Sequence, residues 1–209
     1  NYRLIFKLEV DMKNRIKKVI ISISFLILIG VITISVIKIH NIMDDRKNGI
    51  GNVIDSYKGV DIYFNGYDYG KNHGKSYSKD KYYYGYKWQC VEYVKRFYYE
   101  AKHHKMPDVY GNAKDFFDEN IEQGELNEKR GLYQYKNGGN VKPCEDDLLV
   151  FTDTTYGHVV IISEVGDDYI EVVQQNMGDE SRDRFELKCI DGNYYIGGKR
   201  EPAGWLRLE

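Results

Sequence analysis

The feature that most constrains how this chain can fold is an apolar run from Val19 to Ile37 that contains no charged side chain. At a helical rise of about 1.5 Å per residue, this run spans roughly 28 Å, close to the hydrocarbon thickness of about 30 Å in a bilayer. A run of this length and composition is typical of a transmembrane helix. We therefore predict a single membrane span at residues 19–37.

The basic residues around this run are distributed unevenly. Only Lys38 follows it closely, whereas four bases stand before it, namely Lys13, Arg15, Lys17 and Lys18. The positive-inside rule then predicts that residues 1–18 are cytoplasmic and that the long C-terminal part faces the extracellular, cell-wall side of the cell membrane. No small-x-small cleavage site follows the run, which favours an uncleaved anchor; a cleaved signal peptide and a buried helix remain alternatives.

The rest of the chain divides into three parts. Met12 stands where a start codon would make sense, so residues 1–11 can be an upstream extension. Residues 38–51 contain a short charged stretch that ends in glycine, a composition that indicates a linker. Residues 52–209 show no internal repeat and are long enough for one hydrophobic core, which predicts a single domain.

The charge distribution argues against nucleic acid as a partner. The chain holds 30 Lys and Arg residues and 32 Asp and Glu residues. Residues 1–50 account for nine of these bases and only four of these acids, so the predicted domain is clearly acidic. Binding to a polyanion depends on Lys and Arg side chains that neutralise phosphates, and in this domain the acidic residues outnumber the basic ones.

Helical spacing appears after residue 90. Five residues with apolar side chains recur with the period of a helix, namely Val91, Val94, Phe97, Tyr98 and Ala101, and polar residues such as Glu92 and Arg96 lie on the opposite side. Glu92 and Arg96 are also four residues apart, the spacing of a helical ion pair. We predict an amphipathic helix that begins close to Cys90, and a second helix over residues 112–122 with Asn112 as its cap.

Short apolar runs with β-branched and aromatic residues predict the strands. They occupy residues 59–65, 147–151, 158–165, 169–176, 184–190, 194–198 and 204–208. Residues 66–84 are predicted as a long surface loop, and residues 124–143 as irregular. Helices followed by a run of hairpin-linked strands indicate an α+β domain with an antiparallel sheet.

The position of Cys90 suggests a nucleophile. At a helix N-terminus, free backbone N–H groups and the helix dipole stabilise a thiolate and can bind an oxyanion. A structural cysteine fits the same position. The other two cysteines, Cys144 and Cys189, could form a disulfide if the domain is exported, and two buried thiols fit as well.

His158 is the candidate general base because it opens a predicted strand. The turn at residues 166–168 makes the next strand its antiparallel partner, which places His158 opposite Gln175 or Asn176, with Gln174 close by. A polar side chain beside an imidazole can accept its N–H, fix the tautomer and orient the ring. The structural alternative is that these three amides mark the point where the strand leaves the core.

Three segments carry a resemblance to a known family: residues 85–93 (GYKWQCVEY), residues 157–162 (GHVVII) and the pair Gln175-Asn176. Together they resemble the CHAP family of cysteine, histidine-dependent amidohydrolases/peptidases, and most of all the amidase domain of bifunctional glutathionylspermidine synthetase/amidase. The similarity runs from about residue 59 to residue 208. It implies a papain-like (CHAP/NlpC-P60-like) fold and hydrolysis of an amide through a thioester, with Cys90 as nucleophile and His158 as base.

The remaining site residues follow from the same resemblance. Gln174 stands where these relatives have a glutamate, so it can orient His158 but lacks the anion that favours imidazolium, and we expect reduced activity. Asn176 matches the family's asparagine and is expected to orient the ring or to support the loop. Gln89 is a candidate oxyanion donor, and Trp88 can wall a substrate groove or belong to the core. No metal and no cofactor are predicted.

Three functions are compatible with these observations. The favoured one is hydrolysis of peptidoglycan amide bonds by a membrane-anchored cysteine hydrolase, since an exported enzyme meets the cell wall. The second is an amidase acting on a small conjugate such as glutathionylspermidine. The third, motivated by Gln174, is a weakly active or non-catalytic wall-binding protein.

Overall fold

The computed structural model describes the backbone of residues 2–209; within its first helix, side chains are described at Met12, at residues 15–40 and at Met43. The chain divides between Lys47 and Asn48 into two compact units.

The described part of the first unit is helical and belongs to α1, which runs from Tyr2 to Asn48. Its segment Arg15–His40 has a mean hydropathy of 2.8 and is long and apolar enough to cross a membrane, a test that a signal sequence near the N-terminus passes equally. The predicted span at residues 19–37 lies inside this segment. The helix continues through most of the predicted linker because residues 38–48 contain no Gly or Pro.

The second unit combines one α-helix, one short 3-10 helix and twelve strands. Two small hairpins come first: β1 (Val53–Tyr57) with β2 (Val60–Tyr63), and β3 (Lys75–Tyr77) with β4 (Tyr83–Tyr86). The helix α2 (Cys90–Lys102) and the 3-10 helix (Ala113–Phe116) follow. The remaining strands are β5 (Glu125–Asn127), β6 (Leu132–Lys136), β7 (Leu148–Phe151), β8 (His158–Val165), β9 (Tyr169–Val173), β10 (Arg182–Ile190), β11 (Asn193–Gly197) and β12 (Gly204–Arg207).

The last eight strands form one antiparallel sheet in the order β11-β10-β9-β8-β7-β12-β6-β5. The sheet curls so far that its first strand meets the segment after β6, where the Gly138 N–H donates to the carbonyl oxygen of Tyr194 at 2.8 Å. Both faces of its central strands are therefore buried. Val159 and Ile161 pack under α2, while Val160 and Ile162 join Trp205 in the enclosed core.

The helix-plus-antiparallel-sheet architecture confirms the α+β prediction, and the papain-like arrangement stays a prediction. Each predicted strand is found, although β9 ends at Val173. The hairpin of β3 and β4 lies within the predicted surface loop or just past its end, and β5 and β6 occupy the segment predicted as irregular. These short strands lack the apolar runs that indicate the others.

The helix predicted over residues 112–122 is wrong, because only Ala113–Phe116 form a helical turn, and that turn is 3-10. The backbone of Asp118 leaves the helical path and pairs with the side chain of Gln134 on β6. The Asp118 N–H donates to Gln134 Oε1 at 3.0 Å, and Gln134 Nε2 donates to the Asp118 carbonyl at 2.7 Å. This long-range pairing replaces the hydrogen bonds of the predicted helix.

The helix α2 is confirmed at its predicted start, but its polar side is not solvated. Glu92, Lys95 and Arg96 are all buried. The hairpin of β3 and β4 covers this side of the helix, and the backbone at Gly85 approaches Glu92 closely. The amphipathic pattern therefore does not mark a surface helix here.

Neither alternative for the other cysteines is found. Cys144 and Cys189 are both free thiols and both exposed. Cys189 lies on β10, and Cys144 precedes β7, three strands away from β10 in the sheet order. Strands so placed are separated by about 14 Å, whereas a disulfide needs Cα atoms within about 7 Å.

Candidate active site

Cys90 is the first residue of α2. Gln89 before it has an extended backbone (φ −79°, ψ 159°), so the helix begins at the cysteine itself. The Tyr93 N–H makes the first backbone bond, to the Gln89 carbonyl at 3.2 Å. The N–H groups of Cys90 and Val91 therefore have no acceptor inside the helix, and together with the N–H of Val159 from β8 they act to lower the pKa of the Cys90 thiol.

The surroundings of this thiol keep it neutral at rest. Cys90 is only 7% exposed. Burial raises the pKa of the Cys90 thiol above its usual value, and the backbone N–H groups and the charge of Arg200 offset this only in part. The helix start therefore favours the thiolate as predicted, but the cost of desolvating the anion is larger.

His158 opens β8 as predicted and is buried beside the core. Its ring stacks on Phe151, its partner across the β7–β8 pair, with 6.5 Å between ring centroids. Its Nε2 lies 3.0 Å from Gln174 Oε1. Gln174 Nε2 donates to the Glu180 carbonyl at 3.1 Å, which fixes the orientation of the amide. Gln174 Oε1 thus accepts the Nε2 proton, and Nδ1 keeps the lone pair that a base requires.

Burial also determines the charge of this histidine. It lowers the pKa of His158 to about 4, and the hydrogen bond to Gln174 opposes the shift without reversing it. The imidazole is therefore neutral at pH 7. A neutral thiol and a neutral imidazole are suited to general-base activation, in which the proton moves as the thiol attacks.

Of the three amides after β9, only Gln174 hydrogen-bonds the His158 ring. Because β9 ends at Val173, the predicted pairing of His158 with Gln175 or Asn176 does not form. Gln175 turns toward α2, where its Nε2 donates to Glu92 Oε2 at 2.8 Å and its Oε1 accepts the Tyr63 N–H at 2.8 Å. It thereby ties the end of β9 to the helix that carries Cys90.

Asn176 supports a loop and does not touch the ring. Its backbone has a positive φ of 71°, which turns the chain away from the sheet. Its Oδ1 accepts from Asn65 Nδ2 at 2.6 Å, and its Nδ2 donates to the Tyr69 carbonyl at 3.0 Å and to Gln89 Oε1 at 2.8 Å. Of the two roles expected for Asn176, the structure favours loop support.

The two residues before Cys90 are engaged within the protein. Gln89 Nε2 donates to the carbonyls of Tyr69 (3.3 Å) and Lys71 (2.5 Å), so neither amide hydrogen is available for the predicted oxyanion role in this arrangement. Trp88 is half-buried and packs against Tyr63, with 4.0 Å between ring centroids. The backbone N–H groups at the start of α2, which have no acceptor inside the helix, remain as candidate oxyanion donors.

Residues 81–176 match the sequence model of the CHAP domain. The match includes Cys90, His158, Gln174 and Asn176. This part of the chain is a CHAP domain. The family resemblance predicted from the three segments is confirmed, and membership implies a hydrolase that acts on amide bonds. The chain is also 36% identical over 95 residues to a trypanothione synthetase from Crithidia fasciculata; this covers 44% of the chain but only 15% of the relative's length.

The CHAP domain contains a buried ion pair whose location sequence reasoning missed. Arg96 Nε lies 2.8 Å from Glu92 Oε1, which also accepts from Ser76 Oγ at 3.0 Å. The four-residue spacing of Glu92 and Arg96 predicts the pair, but nothing in the spacing shows that it is buried. Within residues 48–209, together with the described part of α1, no group of three His, Cys, Asp or Glu side chains is arranged to hold a metal ion.

A second missed element lies just outside the matched segment. Arg200 sits between β11 and β12, and its guanidinium carbon lies 4.3 Å from the centre of the Phe151 ring. Its Nε is 2.8 Å from Asp153 Oδ2. Because Phe151 stacks on His158, this arginine stands one aromatic ring away from the candidate base. No motif or periodicity links residue 200 to the site.

Proposed function

We propose that this chain is a membrane-anchored cysteine amidase or endopeptidase that hydrolyses amide bonds of peptidoglycan outside the cell membrane. The observation that carries the proposal is the contact between His158 Nε2 and Gln174 Oε1, in a CHAP domain whose Cys90 begins a helix. That contact leaves Nδ1 as the basic nitrogen. It thus supports a base, an orienting amide and a nucleophile with distinct roles.

The proposed reaction uses these groups in turn. His158 Nδ1 accepts the Cys90 proton as the sulfur attacks the amide carbonyl, and the N–H groups at the start of α2 bind the oxyanion. The C–N bond then breaks as His158 returns the proton to the leaving amine, which produces a thioester. Water, activated by the same nitrogen, cleaves the thioester and restores the thiol.

The substrate is inferred from the first unit and from charge. The apolar segment Arg15–His40 supports a membrane tether, and the bases before residue 19 support an outward orientation of the CHAP domain. An amidase held at that surface faces the peptide amides of the cell wall. The acidic domain does not suit a nucleic acid substrate.

A second candidate is an amidase acting on a small conjugate such as glutathionylspermidine. Its support is the similarity to the trypanothione synthetase, at 36% identity over 95 residues. That relative is much longer than this chain, so its activity is not transferred with the similarity.

The test uses the full chain in non-ionic detergent under reducing conditions, with Cys90→Ala as the inactive variant and Cys189→Ala as the matched control. Each protein is incubated with purified peptidoglycan and, separately, with glutathionylspermidine, and the products are identified by mass spectrometry. We expect wall fragments with new carboxyl and amino ends from the wild type and from Cys189→Ala, and none from Cys90→Ala.

Release from the small conjugate alone would favour the second candidate. If neither substrate is cleaved while all three proteins remain folded, the hydrolase proposal fails and a non-catalytic wall-binding protein becomes the better description.

A further inference from the structure

The side chains of Arg200 and Asp153 form a charged pair at the rim of the candidate site. Asp153 follows β7 in the connection to His158, and Arg200 precedes β12. Asp153 Oδ2 accepts from Arg200 Nε at 2.8 Å, and Arg200 Nη2 also contacts Asp153 Oδ1. The Arg200 side chain is 24% exposed and that of Asp153 is 48% exposed, so solvent and solutes reach the pair.

The pair leaves part of the guanidinium unused. A guanidinium has five N–H donors, and within residues 48–209 the hydrogen bonds of Arg200 are those from Nε and Nη2 to Asp153. The two Nη1 hydrogens have no protein acceptor there. Guanidinium N–H groups match the oxygens of a carboxylate, and the packing on Phe151 holds the group in one orientation.

The charge of Arg200 acts on the reacting groups. Burial is the main influence on both pKa values; the positive charge of Arg200 opposes the rise in the pKa of Cys90 and adds to the lowering of the pKa of His158. Arg200 packs on Phe151 and Phe151 stacks on His158, so this cation stands at the edge of the candidate site. An anionic group on a substrate bound at Cys90 would meet a fixed positive charge at this edge.

We propose that Arg200 binds a carboxylate of the substrate close to the scissile amide, and that Asp153 holds the guanidinium in place and moderates its charge. The chemical class is an amide with a free carboxylate within a few bonds of the carbonyl that is attacked. Naming this ligand a substrate rests on the proposed function. The proposal that Arg200 forms an anion site at the edge of the candidate site does not depend on it.

The experiment alkylates the full chain in non-ionic detergent with iodoacetate and with iodoacetamide. In both reactions the sulfur forms a bond to carbon, iodide leaves and the thiol proton is released. The reagents differ in one group: iodoacetate carries a carboxylate, and iodoacetamide carries a neutral carboxamide in its place. Peptide mapping gives the rates at Cys90, Cys144 and Cys189 in the same sample. The exposed Cys144 and Cys189 supply the reference ratio of the two reagents.

We expect the iodoacetate-to-iodoacetamide rate ratio at Cys90 to exceed the reference ratio by about tenfold, the effect of one charge-assisted contact. Arg200→Gln abolishes this preference, and Asp153→Asn increases it because the guanidinium is no longer neutralised. Arg184→Gln is the matched control. Arg184 also pairs with a carboxylate, Glu171, and packs on an aromatic ring, Tyr169, but it lies on β10. It should leave the ratio unchanged.

Equal ratios at Cys90 in the wild type and in Arg200→Gln overturn the proposal. It also fails if Cys90 reacts with neither reagent while Cys144 is modified. The iodoacetamide rate reports whether each variant keeps its site intact, and Asp153→Asn tests the same charge by a change in the opposite direction. A retained preference without hydrolysis of any amide contradicts only the proposed function.

Discussion

At the residue scale, Gln174 fixes the tautomer and the orientation of the candidate base, His158. Its amide oxygen accepts from His158 Nε2 at 3.0 Å and brings no charge to a ring that burial already keeps neutral. The family resemblance implies a glutamate at the corresponding position. The difference predicts a site that is correctly assembled but does not hold a thiolate–imidazolium pair at neutral pH.

Gln174→Glu should raise the pKa of His158, because a carboxylate at this distance favours the imidazolium by about 1–3 pKa units. Protonated imidazole then stabilises the Cys90 thiolate at lower pH. We expect alkylation of Cys90 by iodoacetamide at pH 6 to become about tenfold faster, while the rate at exposed Cys144 stays the same. An unchanged pH profile at Cys90 would contradict the orienting role of Gln174.

Glu92 contributes to stability through its environment, because its carboxylate is buried together with the guanidinium of Arg96. Glu92→Gln leaves the guanidinium of Arg96 without its anion, and we expect a loss of about 3–5 kcal/mol in the free energy of unfolding. The measurement is urea unfolding followed by tryptophan fluorescence.

The matched control for Glu92→Gln is Glu186→Gln, in an exposed pair with Lys188 at 2.6 Å. We expect no measurable change there, because exposed ion pairs contribute little. Equal losses in the two variants would show that burial of Glu92 does not matter.

At the element scale, the N-terminus of α2 is positioned by the hairpin of β3 and β4. Gly85 on β4 has a φ of 143°, and a Cβ at this position would lie 3.2 Å from the backbone N and Cα atoms of Glu92. Glycine therefore permits the hairpin to approach the helix two residues from Cys90. The same approach buries the polar side of α2.

Gly85→Ala should push the hairpin away from α2 and displace Cys90. We expect a loss of about 1–3 kcal/mol in the free energy of unfolding and slower alkylation of Cys90. Gly59→Ala separates the effect of backbone strain at a positive φ from the effect of the close approach to Glu92. Gly59 also has a positive φ (81°), but no atom lies within 4 Å of its Cβ position. If both variants slow the alkylation of Cys90 equally, the close approach is not what positions the helix.

At the scale of the whole molecule, the burial of neutral His158 links stability to pH. Its pKa is about 4 in the folded chain, against the ordinary histidine value of 6.5 that applies when the chain is unfolded. Below pH 6.5 the unfolded chain binds a proton at this histidine and the folded chain does not. The free energy of unfolding therefore falls as the pH is lowered from 6.5 to about 4, by up to about 3 kcal/mol. His158→Gln should lose less stability across this window.

Both tryptophans, Trp88 and Trp205, lie in the unit Asn48–Glu209, so their fluorescence reports the unfolding of that unit in the full chain. Identical pH dependence in the wild type and in His158→Gln would contradict the buried neutral imidazole.

The two exposed cysteines test the proposed orientation in the membrane. If the CHAP domain faces outward, a membrane-impermeant maleimide should label Cys144 and Cys189 in intact cells. The variant lacking both thiols should show little labelling, because Cys90 is buried. Labelling that appears only after the cells are permeabilised would place the domain on the cytoplasmic side.

The sequence by itself determined what depends on neighbouring residues. Apolar length indicated the membrane-spanning segment, helical period marked the start of α2 at Cys90, and strand period marked β7, β8 and β9. The motifs around Cys90 and His158 were sufficient to indicate the CHAP family. Each of these signals lies within a short stretch of chain, so it is readable without knowledge of the fold.

Only the tertiary structure decided which groups meet across the chain. It selected Gln174 over Asn176 as the partner of His158, because β9 ends at Val173 and the positive φ of Asn176 turns its side chain toward the loop. It buried Glu92 beneath a hairpin predicted as mostly loop, and it brought Arg200 over Phe151 from 49 positions along the chain. Such contacts depend on packing between distant segments, and local periodicity carries no information about them.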